Sequence, residues 1–403
     1  MDTMIALWLV GAAIALLLAL LIIVRVARRM EQRSVAETPP AAPATRAGRA
    51  SPALRMMFGA MGVPVFAPGL SAPSRSKQQR IVTAITGAGV AAIIGLGFAA
   101  TRGARDEQET QTVQSTEISA GDLHGTLLSP RDRAPVVLIV PGSGPTDRDG
   151  NNPMGVKANS YRLLAEALAK ENIATVRVDK RGMFGSAAAG DPNAVTVAKY
   201  AEDYRAWIDA IRAQTGRKCV WLLGHSEGAL MVSAAAEGRK DVCGLILVSG
   251  MGRKMGDVLR EQLKANPANA PLLDQASAAI ADLEAGRHPD TSAMHPALMP
   301  LFAPQVQDFL ISVFATDPVE AVRRAKVKTL VIQGTTDLQV TVEDARLLNK
   351  APRTRLELIK GMNHILKEAP ADRAANLATY TNPDLPLAPR LAGKIEDFIK
   401  DRD

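Results

Sequence analysis

The chain has 403 residues, 47% hydrophobic and 22% charged, with a net charge of +7. That is room for two or three units, and it excludes a chain disordered throughout or a fibrous one. Residues 1–105 hold 12 basic against 3 acidic residues, while residues 106–403 hold 36 against 38. The basicity therefore belongs to the first quarter, and the main domain carries no charge signature of nucleic-acid binding.

Residues 4–24 are 21 uncharged residues, and about 20 apolar helical residues cross a bilayer. No Lys or Arg precedes the run, and it is longer than the apolar region of a cleaved leader, so a retained transmembrane helix is expected. A basic, Pro- and Ala-rich linker occupies 25–80, with 10 basic and 2 acidic residues. Residues 81–100 form a second uncharged run, interrupted by Gly87, Gly89, Gly95 and Gly97. Membrane helices tolerate such glycines, so a second span is expected there. The positive-inside rule keeps the basic loop in the cytoplasm. The large domain then lies on the outer, periplasmic side of a bacterial inner membrane, with the lipid bilayer as a partner.

From residue 106 onward the pattern changes. Apolar runs at 136–140, 174–178, 219–223, 245–248, 330–332 and 356–359 read as strands. Several are unbroken Val, Ile and Leu, as in parallel strands buried on both faces. Helical patterns alternate with them: Tyr161, Leu164, Ala165 and Leu168 share one face, as do Tyr204, Trp207, Ile208 and Ile211. The expected class is α/β, with a mostly parallel sheet flanked by helices. A helical insertion at about 251–325 breaks the alternation, with Val306, Phe309, Leu310, Val313 and Phe314 at helical spacing. It falls after the fifth or sixth strand, where a parallel sheet presents its ligand-binding edge, and reads as a cap over a pocket.

Gly224-His225-Ser226-Glu227-Gly228 is a G-x-S-x-G between the apolar run VWLL and a helical run. In that context Ser226 sits on a sharp turn at a helix N-terminus, as a candidate nucleophile. A serine hydroxyl needs a base, and the base needs an acid to fix its tautomer. Of the histidines at 124, 225, 288, 295 and 364, His364 lies just after the last strand and is the candidate base. His225 should point away from its neighbour. Asp337, directly after strand 330–332, is the candidate acid; Asp317 and Glu343 are alternatives. Two backbone N–H groups must meet the developing oxyanion. Glu227 supplies one at the helix start. The loop PGSGPTDRDGNN supplies the other, from Gly142, Ser143 or Gly144, since Pro141 and Pro145 have no N–H. Ser143 is preferred.

VPGSGPTDRDGN, VDKRGMFGS, GHSEG, IQGTTD and GMNH, in this order, resemble the α/β-hydrolase superfamily over about residues 115–403. They are most similar to its bacterial esterase and serine-aminopeptidase-like branch. The resemblance implies Ser226, Asp337 and His364 as catalytic residues, Ser143 and Glu227 as oxyanion donors, and no metal or cofactor.

Asp147, Arg148, Asp149, Asp179, Lys180 and Arg181 fall near the same edge. They read as an ion network holding the loops rather than as anchors for a polar substrate, although Asp147 and Arg181, with Gly142 and Gly144, are candidates to touch one. Cys219 and Cys243 begin neighbouring strands. They are expected to be free and buried, with a disulfide open to them in an oxidising compartment. The expected activity is hydrolysis of small to medium acyl esters. The rival readings are an aminopeptidase using Asp282, Glu284 or Asp290 to hold an amine, an acyltransferase, and a non-catalytic tethered binding protein.

Overall fold

The computed structural model describes residues 113–401. The expected membrane segments 4–24 and 81–100 and the linker between them lie outside these residues. Among the described residues no helix is long and apolar enough to cross a membrane.

Eight strands form one sheet: β1 (Gln114–Ala120), β2 (Leu123–Ser129), β3 (Val136–Val140), β4 (Ala174–Val178), β5 (Val220–His225), β6 (Val242–Val248), β7 (Thr329–Gly334) and β8 (Thr354–Ile359). Their spatial order is β1-β2-β4-β3-β5-β6-β7-β8. β3 to β8 run parallel, and β2 is antiparallel to both β1 and β4. The period of two sorts the apolar strands between two layers. Val137 and Ile139 face α1 (Ser160–Lys170) and the C-terminal helix Leu391–Ile399, through Leu164, Leu168 and Ile395. Leu138 and Val140 face α2 (Val197–Thr215) and α3 (Glu227–Ala236), through Trp207, Ile211 and Met231. Each such side chain, buried on both faces of the sheet, contributes about 1.5–3 kcal/mol.

The bounds expected for β3 and β4 match those observed, and the centres of the other four runs fall inside strands. β1 was not anticipated, since QSTEISA buries only Ile118 and so has no apolar run to read.

Between β6 and β7 lie α4 (Met255–Lys264), α5 (Leu273–Glu284), α6 (Pro304–Phe314) and α7 (Pro318–Ala325). Val306, Phe309, Leu310, Val313 and Phe314 are all buried, as their spacing predicted. α4, α5 and α6 pack on one another, whereas α7 packs on α3 and belongs to the layer beside the sheet.

The expectation of free cysteines is corrected: Cys219 and Cys243 form a disulfide, with Cα atoms 5.2 Å apart. Regular pairing of Gly224 with Leu247 would set Cys243 level with Val220. An irregularity between Val220 and Trp221 pairs Val220 with Val242 instead and leaves Cys243 as the extra residue. The disulfide joins the residue before β5 to the extra residue at this irregularity in β6.

Candidate active site

Ser226 stands alone between the last residue of β5 and the first of α3, at φ 56° and ψ −122°. A side-chain-bearing residue pays for such a conformation in strain, which packing must overcome. The two glycines of the motif make room for it. A Cβ on Gly224 would lie 2.3 Å from the Gly228 oxygen, and one on Gly228 would lie 2.7 Å from the oxygens of Val140 and Pro141. No other residue fits at either position.

His364 follows β8 and Asp337 follows β7, so both loops leave the carboxyl edge of the sheet beside Ser226. His364 Nε2 is 3.1 Å from Ser226 Oγ, and His364 Nδ1 is 2.9 Å from an Asp337 carboxylate oxygen. A carboxylate only accepts, so Nδ1 carries the proton and Nε2 is free to accept one from the serine. Burial alone would raise the Asp337 pKa. The facing His364 and the amides of Gln339 and Val340, at 2.8 and 3.0 Å, outweigh it and hold the group below the ordinary carboxylate range. The alternative acids are occupied elsewhere: Asp317 caps α7 through the Glu320 amide, and Glu343 lies at the surface beside Arg346.

Ser143 and Glu227 border the same pocket as Ser226, and Glu227 opens α3 directly after it. The Gly142 N–H is engaged, donating to Tyr161 Oη at 3.1 Å. Gly144, at φ 70°, turns the loop and borders neither pocket described below. The Tyr161 hydroxyl in turn sits 2.8 Å from His225 Nδ1, and His225 Nε2 sits 2.7 Å from the His364 carbonyl. The carbonyl can only accept, so His225 donates from Nε2 and accepts the tyrosine proton at Nδ1. Burial, with His364 alongside, pushes the His225 pKa down to about 3, so the ring stays neutral. The His225 side chain lies in the wall of the same pocket as Ser226, its ring 4.9 Å from that of His364, and its hydrogen-bonded chain ties the His364 loop to the loop after β3.

Two pockets meet at Ser226. One is bordered by Thr146, Asn152, Ser160, Tyr161, Gln339 and Tyr380. The other lies under the cap, among Met251, Leu259, Leu301, Phe309, Leu310 and Val313, and encloses about 550 Å³ including its open mouth. Ser143 and Gln339 border both.

The charged loop residues hold the scaffold. Arg148 pairs with Asp179 and Glu117, and Arg177 pairs with Asp149. Asp147 accepts from the amides of Asp149 and Asn151, and Arg181 pairs with Asp203. Neither Asp147 nor Arg181 borders the two pockets at Ser226, where substrate contacts were expected. The same holds for the candidate amine holders: Asp282 pairs with Arg287, Glu284 with Arg260, and Asp290 accepts from Ser292. His288 pairs with Asp308 at the surface, and His295 accepts from the amide of Ala297. Among the described residues no cluster of three or more His, Cys, Asp or Glu is placed to hold a metal ion. Sequence reasoning missed Tyr161, Gln339 and Tyr380, which carry no motif.

The sequence profile of the alpha/beta hydrolase family matches residues 136–378. No curated protein matches the chain. Solved structures similar to it include Est1E from Butyrivibrio proteoclasticus, at 16% identity over 71% of this chain and 98% of that one, with a TM-score of 0.44. The esterase Pf2001 of Pyrococcus furiosus is 16% identical over 76% and 99%, with a TM-score of 0.43. An esterase domain from Rhodothermus marinus is 17% identical over 67% and 96%, with a TM-score of 0.40.

Proposed function

The chain belongs to the alpha/beta hydrolase family, and from that premise we propose a serine hydrolase that cleaves carboxylic esters of small to medium acyl chains. The observation that carries this reading is the chain of contacts from Ser226 Oγ to His364 Nε2, and from His364 Nδ1 to Asp337. His364 takes the Ser226 proton as Oγ bonds to the ester carbonyl carbon. The oxyanion rests on the Ser143 and Glu227 amides. When the tetrahedral species collapses, the C–O bond to the alcohol breaks, and His364 Nε2 hands its proton to the departing oxygen. Water then attacks the acyl-serine by the same route and releases the acid. The cap pocket takes the acyl chain and the pocket beside Tyr161 and Tyr380 the alcohol. Asp282, Glu284 and Asp290, the carboxylates considered as amine holders, border neither pocket, which favours an ester over a peptide with a free amine.

The enzyme is further proposed to be membrane-anchored, with its hydrolase domain on the outer side. The uncharged runs at 4–24 and 81–100 and the basic stretch between them support this. So does the Cys219–Cys243 pairing, since disulfides persist in oxidising compartments.

Replacing Ser226 with Ala in the full chain tests the catalytic reading. Turnover of p-nitrophenyl butyrate should fall about 10⁶-fold with the melting temperature held. Turnover at the wild-type rate would refute the assignment.

A further inference from the structure

Lys180, two residues past β4, is only 4% exposed and takes no part in the proton transfers above. An ammonium taken out of water at that depth is costly unless something compensates it. Its Nζ donates to the Gly142 carbonyl at 2.8 Å. That carbonyl and the Ser143 N–H are the two ends of one peptide group. The neighbouring peptide is fixed as well, through the Gly142 N–H on Tyr161 Oη. The loop lies against the nucleophile, since a Cβ on Gly142 would sit 3.1 Å from the Ser226 Cβ.

We propose that Lys180 is a positioning residue for the oxyanion site, holding and polarising the Gly142–Ser143 peptide so that the Ser143 N–H is presented to the reacting carbonyl. The proposal rests on the serine-hydrolase reading. A cation on the carbonyl oxygen draws electron density from the peptide nitrogen, so the N–H becomes a stronger donor. The positive charge also stands behind the place where negative charge develops, in surroundings that screen it poorly. Holding the peptide rigid removes a reorganisation that the transition state would otherwise require.

The groups facing Lys180 are few. Glu227 at the start of α3 is buried, and burial pushes its pKa up, against the pull of Lys180 and of the Ser143 hydroxyl. From α2, the Tyr200 ring has its centroid 5.9 Å from Nζ, and Asp203 is paired with Arg181. Burial pushes the Lys180 pKa down to about 8, against the attraction of Glu227. The charge is thus present below about pH 8 and lost above it, so turnover should fall through that window. Stability should move the other way. The unfolded lysine keeps its proton up to about 10.5, so between about 8 and 10.5 the unfolded state binds more protons and the lysine's contribution to stability rises with pH. A fall in activity there is not unfolding.

The test is kcat and KM for p-nitrophenyl butyrate, blank-corrected, from about pH 6 to about pH 10 on the full chain. Wild type is compared with Lys180→Met and Lys180→Arg, with melting temperatures and fluorophosphonate labelling alongside. Wild type should show an alkaline limb near pH 8. Lys180→Met should lose about 10–100-fold in kcat at pH 7 with KM within about threefold, less than deletion of a whole oxyanion donor costs. It should show no alkaline limb. Lys180→Arg should keep its charge and hold activity beyond pH 9. Lys180→Met with wild-type kcat, or with the limb still at pH 8, overturns the proposal. Should Lys180→Met fail to fold, Lys180→Arg decides: a limb still near pH 8 overturns it, and its loss supports it. A wild-type protein that fluorophosphonate does not label defeats the serine-hydrolase reading instead. Normal labelling with an unaltered Lys180→Met defeats this inference alone.

Discussion

On one side of Ser226 the wall is polar and bound together by directed contacts. Tyr161 joins the Gly142 amide to His225, His225 joins the His364 carbonyl, and the Ser160 hydroxyl donates to the Ile365 carbonyl at 2.6 Å. On the other side, under the cap, the wall is Met251, Leu259, Phe309, Leu310 and Val313, held by contact and exclusion of water. Hydrogen bonds fix positions to tenths of an ångström, whereas methionine and leucine fill space and tolerate changes of shape. The difference divides the labour of the site. In the proposed esterase the polar wall would set where the reacting carbonyl sits, whatever the substrate. The apolar wall would set which acyl chains are accepted, with each methylene worth about 1–3 kcal/mol of discrimination.

Substitutions that act on one wall, or on what both walls share, can break this division. The largest effect belongs to the shared part. Asp337→Asn keeps the shape but lets His364 take the wrong tautomer, and kcat should fall about 10⁴-fold. The loss should be the same for acetate and octanoate esters, because neither wall has moved. A loss that varied with chain length would mean that Asp337 also shapes the acyl pocket. Leu310→Trp fills the cap side and comes next. It should lower kcat/KM for p-nitrophenyl octanoate by about 10–100-fold and leave the acetate within about threefold, measured by steady-state kinetics. Equal losses on both esters would place the acyl chain elsewhere.

The same contrast marks what could be read before any coordinates. VVLIV and ATVRV announce β3 and β4 because both faces of those strands are buried. The turn at Ser226 is legible because steric crowding confines the positions two before and two after it to glycine. β1 is not, since an edge strand whose side chains meet water has no apolar code. The cysteines meet where β6 slips by one residue against β5, an irregularity that strand-end spacing does not register. The cap helix containing Phe309 and Val313 wrote itself in its periodicity. The polar wall did not: Tyr161, Lys180 and His225 act through partners 19 to 139 residues away. Their meaning lies in how the loops are set on the sheet.

Tyr161→Phe makes the smallest change and isolates the polar wall. It removes one oxygen that accepts from Gly142 and donates to His225, leaving two buried groups without their partner. Such losses cost about 1–3 kcal/mol each, less where water can enter, and the pocket bordering Tyr161 admits water. Lys180 still holds the other side of Gly142, so the loop is loosened and not released. A loss of about fivefold in kcat is expected, equal for short and long acyl esters, with KM little changed and a lowered melting temperature. The equality is the informative part. If Tyr161→Phe reduced octanoate turnover more than acetate turnover, strain in the polar wall would be reaching the cap, and the two walls would be one mechanical unit.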